Sequence, residues 1–307
     1  MKILVTGGAG FIASNLVDKL VEKGHDVSIL DNLSTGKKEN LNPKAKFYKA
    51  DVRDKSIENI FKKGNFDIVS HHAAQIDVRK SVADPYFDAE INIMGLLNVL
   101  KNCARFKVKK IINVSSGGVI YKDNAKLPIN EDETKGPISP YGIAKLTSEY
   151  YVKFYSSIYG LKFTSLRYAN VYGPRQDPKG EAGVIAIFSN LMLQGKQPKI
   201  FGDGKQTRDY VYVKDVVDAN ILATEKGDDE AFNIGTGIET DVNKIFSVIK
   251  KATGYSGNPS YLPARPGELT KSCLNISKAK KILGWQPKYT IEQGLRETID
   301  WVKATVK

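Results

Sequence analysis

Residues 2–14 read KILVTGGAGFIAS, and the fold follows from them. KILVT (2–6) is a short β-branched run. TGGAGFIAS (6–14) follows it, and Asn15, Leu16 and Leu20 then continue at helical spacing. The order is strand, glycine turn, helix. Gly7 permits a tight turn, Gly10 lets the backbone approach a pyrophosphate, and Ala13 takes the small third position where helix packs on strand. Free amides at the helix start can donate to a diphosphate. Glycine spacing alone is weak evidence, but here Asp31 ends the second strand 21 residues beyond Gly10, near the spacing of a ribose-binding acid. A carboxylate that accepts from a ribose 2′-hydroxyl repels a 2′-phosphate, which favours NAD over NADP. Lys37 and Lys38, beyond the turn NLSTG, are the counter-argument.

Outward from this turn, strand and helix alternate. DVSIL (26–30), KFYKA (46–50), FDIVSH (66–71), KKIINVSS (109–116) and KFTSLRY (162–168) read as strands. An amphipathic stretch from about 84 to 105 and a helix over about 140–159 lie between the later ones. This rhythm predicts an α/β protein with a Rossmann-type, doubly wound parallel sheet, and all-apolar strands such as IINV fit burial on both faces. Glycine- and proline-rich loops take over after Arg167. Residues 1–167 are therefore read as an NAD-binding domain. Residues 168–307 are read as a smaller α/β substrate domain, with segments near 208–240 returning to the first.

A chain of 307 residues can bury one large core or two that share a cleft. Its 41% hydrophobic and 26% charged residues are ordinary for a soluble protein. No apolar run reaches the roughly 18 residues of a membrane span. Met1 leads straight into a strand, so no secretory leader is expected. Cys103 and Cys273 are isolated, which suggests reduced thiols in a cytoplasmic protein and no metal site. The formal charge of +12 comes from scattered lysines without an arginine-rich stripe, and no nucleic-acid partner is expected. His71-His72 reads as the structural end of a strand rather than a metal pair.

A second segment carries chemistry: SPYGIAKLTSEY, 139–150. Tyr141 and Lys145 share a helical face four residues apart, and Pro140 suits the helix start. A phenol with an ordinary pKa of about 10 is a poor base at neutral pH. A nearby ammonium and a cationic nicotinamide both favour its phenolate. Tyr150, Tyr151, Tyr155 and Tyr159 recur along the same helix and read as core or dimer packing.

With these motifs in hand, the chain resembles the extended short-chain dehydrogenase/reductase superfamily, and within it the UDP-glucose 4-epimerase family. The likeness runs through TGGAGFIAS, DNLSTG, Asp51-Val52, HHAAQ (71–75), INIMG, SSGGVIY (115–121), YGIAK and LRYANVYGPRQ (166–176). It continues through FGDGKQTRDYVYVKDV (201–216), NIGTG (233–237) and RPGEL (265–269). It implies that Gly7, Gly10, Phe11 and Ile12 line the NAD diphosphate, Asp31 and Asn32 hold the adenosine ribose, and Asp51 and Val52 flank the adenine. Ala73, Ala74, Asn92 and Lys145 would lie along the nicotinamide half. Asn170, Arg208, Arg265 and Glu268 would hold the sugar nucleotide. For Arg208, a surface ion pair with Asp209 is the bland alternative.

The catalytic set implied is Tyr141, Lys145 and Ser116, with Ser115 in reserve because Gly117 occupies the family's usual hydroxyl position. Tyr141 and Ser116 would also touch the sugar. Relatives that dehydrate or decarboxylate carry a carboxylate directly after the serine or threonine, whereas Gly117 and Gly118 follow here. The expectation is C4 epimerisation of a UDP-hexose (UDP-glucose/UDP-galactose) through a transient 4-keto sugar, by a homodimer. Ser272, small and beside the sugar's C2 substituent by resemblance, keeps UDP-GlcNAc and UDP-GalNAc open. An epimerase of UDP-uronates and a non-catalytic NAD-binding sensor module also fit the motifs.

Overall fold

The computed structural model describes residues 1–179, 183–265 and 269–305. Strands β1 (Lys2–Thr6), β2 (Asp26–Asp31), β3 (Lys46–Lys49), β4 (Ile68–His71), β5 (Lys110–Ser116) and β6 (Lys162–Tyr168) alternate with helices. These are α1 (Phe11–Glu22), α2 (Ile57–Gly64), α3 (Val78–Ala83), α4 (Pro85–Ala89), α5 (Gly95–Arg105) and α6 (Pro140–Tyr159). The second half adds β7 (Asn170–Tyr172), α7 (Val184–Leu193), β8 (Lys199–Phe201), β9 (Thr207–Tyr212), α8 (Val213–Ala223) and β10 (Glu230–Ile234). It ends with β11 (Glu239–Asp241), α9 (Val242–Thr253), β12 (Ser260–Leu262) and α10 (Ile291–Thr305).

Seven strands form one parallel sheet in the order β10-β6-β5-β4-β1-β2-β3. The order reverses between β1 and β4, and the crevice beyond their carboxyl ends is where such sheets bind ligands. Alternate residues point to opposite faces of a strand. Ile3 and Val5 accordingly join the layer of Leu16, Val17, Leu20 and Val216, while Leu4 joins Val69, Leu96, Val99 and Val152. Each such fully buried aliphatic side chain contributes about 1.5–3 kcal/mol. At the β3 edge, exposed Lys46 and Lys49 discourage pairing with another chain.

The amphipathic stretch expected over about 84–105 is not one regular helix. Asp84 caps α4 by accepting from Phe87 N (3.0 Å), Pro85 opens it, and a π-helical stretch, Glu90–Met94, precedes α5. The wider turn carries Asn92 into the crevice wall.

β10 pairs with β6, so a strand from the second half completes the main sheet. A separate core gathers Tyr172, Phe188, Met192, Tyr212, Ile245, Phe246 and Leu295 beside the small sheet β11-β9-β7. Fully buried Trp285 donates from Nε1 to Asp215 O (2.8 Å) and ties the C-terminal segment to α8. Among the described residues, no helix is long and apolar enough to cross a membrane.

Candidate active site

The β1–α1 turn has the shape of an anion cradle. Gly7 has φ +69°, and a Cβ on it would lie 2.7 Å from Ala73 N. Only glycine satisfies both demands. Gly10 caps α1 without a side chain, and no acidic residue stands in the first turn. The amides of Phe11 and Ile12 thus open a helix whose positive end faces the crevice.

Asp31 is buried at the end of β2, with Oδ2 accepting from Ala9 N (3.0 Å) and Oδ1 from Leu33 N (2.7 Å). A carboxylate has about four acceptor sites, so roughly two remain for hydroxyl donors. Gly36 closes over it: a Cβ there would lie 2.9 Å from each Asp31 oxygen. Asn32 donates to Asp51 Oδ2 (2.8 Å). The Arg53 guanidinium grips Asp51 from the other side and holds its carboxyl down at about 2. Val52 is buried against Gly95. Lys37 pairs with Asp177 at 3.2 Å.

On the other half, Ala73 N donates to Thr6 Oγ1 (3.2 Å), which also lies 2.8 Å from His71 Nδ1. His72 Nε2 lies 2.9 Å from Ser70 Oγ. Burial and the nearby Lys145 ammonium lower both imidazoles to about 3, so they are neutral. Ala74 is half-buried in the same loop. Asn92 donates to Gln75 O (3.0 Å) and to Asp88 Oδ1 (2.9 Å), while its own Oδ1 accepts from Gln75 N (3.0 Å). With both amide hydrogens committed, Asn92 acts on the crevice through the loop it holds.

Helix α6 presents Tyr141 and Lys145. Ser139 caps it by accepting from Gly142 N (3.1 Å), Pro140 occupies its first turn, and Tyr141 N donates to the buried Ser81 Oγ (3.2 Å). Lys145 Nζ donates to Val114 O (3.0 Å) and lies 5.7 Å from the Tyr141 ring centroid. Burial lowers the ammonium to about 8. The acidic phenol expected from this pairing is not produced by the chain alone. Burial pushes Tyr141 above its ordinary range, and the Asp88 carboxylate adds to the push. Among the described residues, no side chain hydrogen-bonds the Tyr141 or Ser116 hydroxyl. Ser115, one position earlier on β5, is buried and donates to Glu149 Oε1 (2.6 Å).

Gly117 lies against Leu274, and a Cβ there would sit 2.5 Å from Leu274 Cδ1. No acid follows Ser116, and none would fit at 117 without displacing a fully buried leucine. Across the crevice, Asn170 opens β7 in register with Tyr210, two residues from Arg208 on β9. Arg208 NH1 donates to Thr207 O (2.8 Å). The surface ion pair with Asp209 does not form. Asp209 is fully buried and accepts from Thr236 N, Thr236 Oγ1, Gly237 N and Leu274 N. Arg265 lies over the Phe201 ring at 3.7 Å, and Glu268 lies outside the described residues.

Residues 3–235 match the NAD dependent epimerase/dehydratase family. The chain belongs to that family. It is 42% identical over 309 residues to a UDP-glucose 4-epimerase of Mycolicibacterium smegmatis, covering 99% of each chain. A UDP-glucose 4-epimerase of Thermotoga maritima, solved with UDP-glucose, is 53% identical over 100% of both chains, with a TM-score of 0.98. A UDP-N-acetylglucosamine 4-epimerase of Methanobrevibacter ruminantium, solved with UDP-N-acetylmuramic acid, is 38% identical over 99% of this chain and 98% of its own, with a TM-score of 0.94.

Several residues of this family member escape a reading of the sequence. Gly36 walls Asp31, Arg53 neutralises Asp51, and Gln75 with Asp88 fixes the loop after β4. Glu149 and Arg167 form a buried two-point pair (2.9 and 2.7 Å) that locks α6 onto β6. Glu149 carries the one available signal, since it stands four residues beyond Lys145 on the helical face of Tyr141.

Proposed function

We propose that this chain is an NAD-dependent isomerase that inverts C4 of a UDP-hexose, interconverting UDP-glucose and UDP-galactose through a transient 4-keto sugar. The observation that carries the reading is the Ser116, Tyr141 and Lys145 set beside the glycine cradle, with Gly117 and Gly118 where a dehydrating acid would stand. NAD, when bound, supplies reversible hydride acceptance. Phe11 and Ile12 amides hold its diphosphate, Asp31 and Asn32 its adenosine ribose, and Asp51 and Val52 flank its adenine. The chain keeps Tyr141 protonated on its own, so the base forms only where an added positive charge favours the phenolate. Tyr141 then takes the proton of the sugar 4-hydroxyl while Ser116 hydrogen-bonds that oxygen, and Lys145 holds its charge near both. Asn170, Arg208, Arg265 and Glu268 keep the nucleotide anchored while the hexose turns.

Residues 168–307 mainly hold the sugar nucleotide in this reading, and the strand and helix at 213–234 belong with the first domain. Exposed Ile143, Tyr150, Phe154 and Ile158 on α6 support a homodimer through that helix, and the buried, unpaired Cys103 and Cys273 support a cytoplasmic setting. A second reading is epimerisation of UDP-GlcNAc and UDP-GalNAc. Ser272 favours it, being small, buried and two residues from the Leu274 that packs on Gly117. The test is incubation of purified protein with UDP-galactose and with UDP-GalNAc, without added NAD, following both products. No C4 inversion of either would reject both readings and leave the uronate epimerase and the sensor module.

A further inference from the structure

Asp88 on α4 is a fully buried carboxylate with no part in the steps above. Its Oδ1 accepts from Gln75 Nε2 (2.9 Å) and Asn92 Nδ2 (2.9 Å). Gln75 in turn is threaded through the loop after β4. Its Oε1 accepts from Asp77 N (2.6 Å), its Nε2 donates to Asp77 O (2.8 Å), and its backbone is bonded on both sides by Asn92. One carboxylate therefore joins the Ala73–Gln75 loop, the π-helical stretch and α4, and α4 packs on the helix that carries Tyr141 and Lys145.

We propose that Asp88 is a positioning residue that fixes the cofactor-facing loop and sets the charge balance of the Tyr141–Lys145 pair. Among the described residues, the ionisable groups coupled to that pair are Asp88 from α4, His71 at the end of β4 and His72 just after it. The imidazoles are neutral, so Asp88 supplies the charge. Its field opposes the burial that strips Lys145 of its proton, and it holds back ionisation of Tyr141 until a cation arrives. The site is thereby quiet without NAD and responsive with it. For its rate readout this inference rests on the epimerase reading.

Asp88→Asn keeps an oxygen that can accept from Gln75 and Asn92 but removes the charge. Asp88→Glu keeps the charge but displaces the acceptor by a methylene. Each variant, and the wild type, is titrated by ultraviolet absorbance with NAD bound and without it. Each is compared with its Tyr141→Phe counterpart, so the difference isolates one phenol among the 15 tyrosines. In Asp88→Asn, Tyr141 ionises on the order of one pH unit lower. With UDP-galactose, both limbs of the pH–rate profile move to lower pH. In Asp88→Glu the phenol titrates near the wild-type pH while bound NAD is lost on gel filtration. A purely structural role would lower melting temperature and leave the phenol in place, and that result in Asp88→Asn overturns the proposal. If Asp88→Asn does not fold, Asp88→Glu decides, and a displaced phenol or full NAD retention there overturns it. A wild type that turns over no UDP-sugar sinks the epimerase reading, while the phenol titration still decides the role of Asp88.

Discussion

The Ser115 hydroxyl donates to Glu149 Oε1 at 2.6 Å, and this bond separates two adjacent serines that are interchangeable on paper. Ser115 is drawn into the buried pair of Glu149 and Arg167, while the hydroxyl of Ser116 is left without a side-chain or backbone partner among the described residues. Ser115→Ala is expected to lower unfolding free energy by about 2 kcal/mol, the loss of a hydrogen bond to a charged group. Ser116→Ala is expected to leave stability nearly unchanged and to reduce kcat on the order of 10²-fold. Urea unfolding and steady-state kinetics of the two variants check this, and a kcat loss confined to Ser115→Ala would reverse the assignment.

Tyr141→Phe is expected to cut kcat by roughly 10²–10⁴-fold while UDP-sugar and NAD still bind. Lys145 is lowered to about 8, so its charge is lost as pH rises through that value, and activity should fall along an alkaline limb there. Lys145→Met should abolish that limb along with most of the rate. A limb that persists in Lys145→Met belongs to another group.

Arg167→Leu leaves the Glu149 carboxylate buried without its partner, at a cost of about 4 kcal/mol. Arg167→Leu with Glu149→Leu removes both charges and should recover a large part of that stability. Chemical denaturation of the single and double variants measures the difference, and equal losses in both would show that packing, not charge, dominates.

Gly36→Ala brings a Cβ to 2.9 Å from both Asp31 oxygens. The carboxylate must shift, and NAD affinity is expected to fall on the order of tenfold, about 1.4 kcal/mol. Wild type should prefer NAD to NADP, because Asp31 repels a 2′-phosphate and Lys37 is engaged with Asp177. Calorimetric titration of both cofactors tests each statement, and equal affinity for NAD and NADP would contradict the second.

His71 gives the stability a pH slope. Its folded pKa, about 3, lies below the unfolded value of about 6.5. Above pH 6.5 or so it is neutral in both states and contributes nothing. As pH falls from there toward 3, the unfolded chain binds a proton that the folded chain refuses. Stability then drops by up to about 1.4 kcal/mol per pH unit, and His72 acts in the same direction. Urea midpoints at pH 7, 6 and 5 should show the decline, and His71→Gln should reduce its slope by about half, His72 supplying the rest. An unchanged slope in that variant would remove His71 as the cause.

Local patterns make much of this molecule readable. The run from Lys2 to Glu22 has one reading because β-branched residues, a glycine that must take positive φ, and helical spacing agree. α6 is legible to its ends, since Pro140 starts it and Gly160 caps it in the left-handed region. The stretch over 84–105 reads as amphipathic without a break, because apolar spacing cannot register a π turn, where Asn92 bonds Gln75 of the neighbouring loop.

What sequence alone determined was the set of side chains and their order: cradle, acid, serines, tyrosine, lysine. Each depends on neighbours within a few residues, where chain connectivity restricts geometry. Tertiary structure decided their electrostatic state and which of them are free. Ser115 lost its hydroxyl to a residue 34 positions away, Asp209 was taken by loops near 236 and 274, and Tyr141 became a weaker acid rather than a stronger one. Burial and Coulomb energies depend on distances through space, and those exist only once the β-sheet has brought remote segments together.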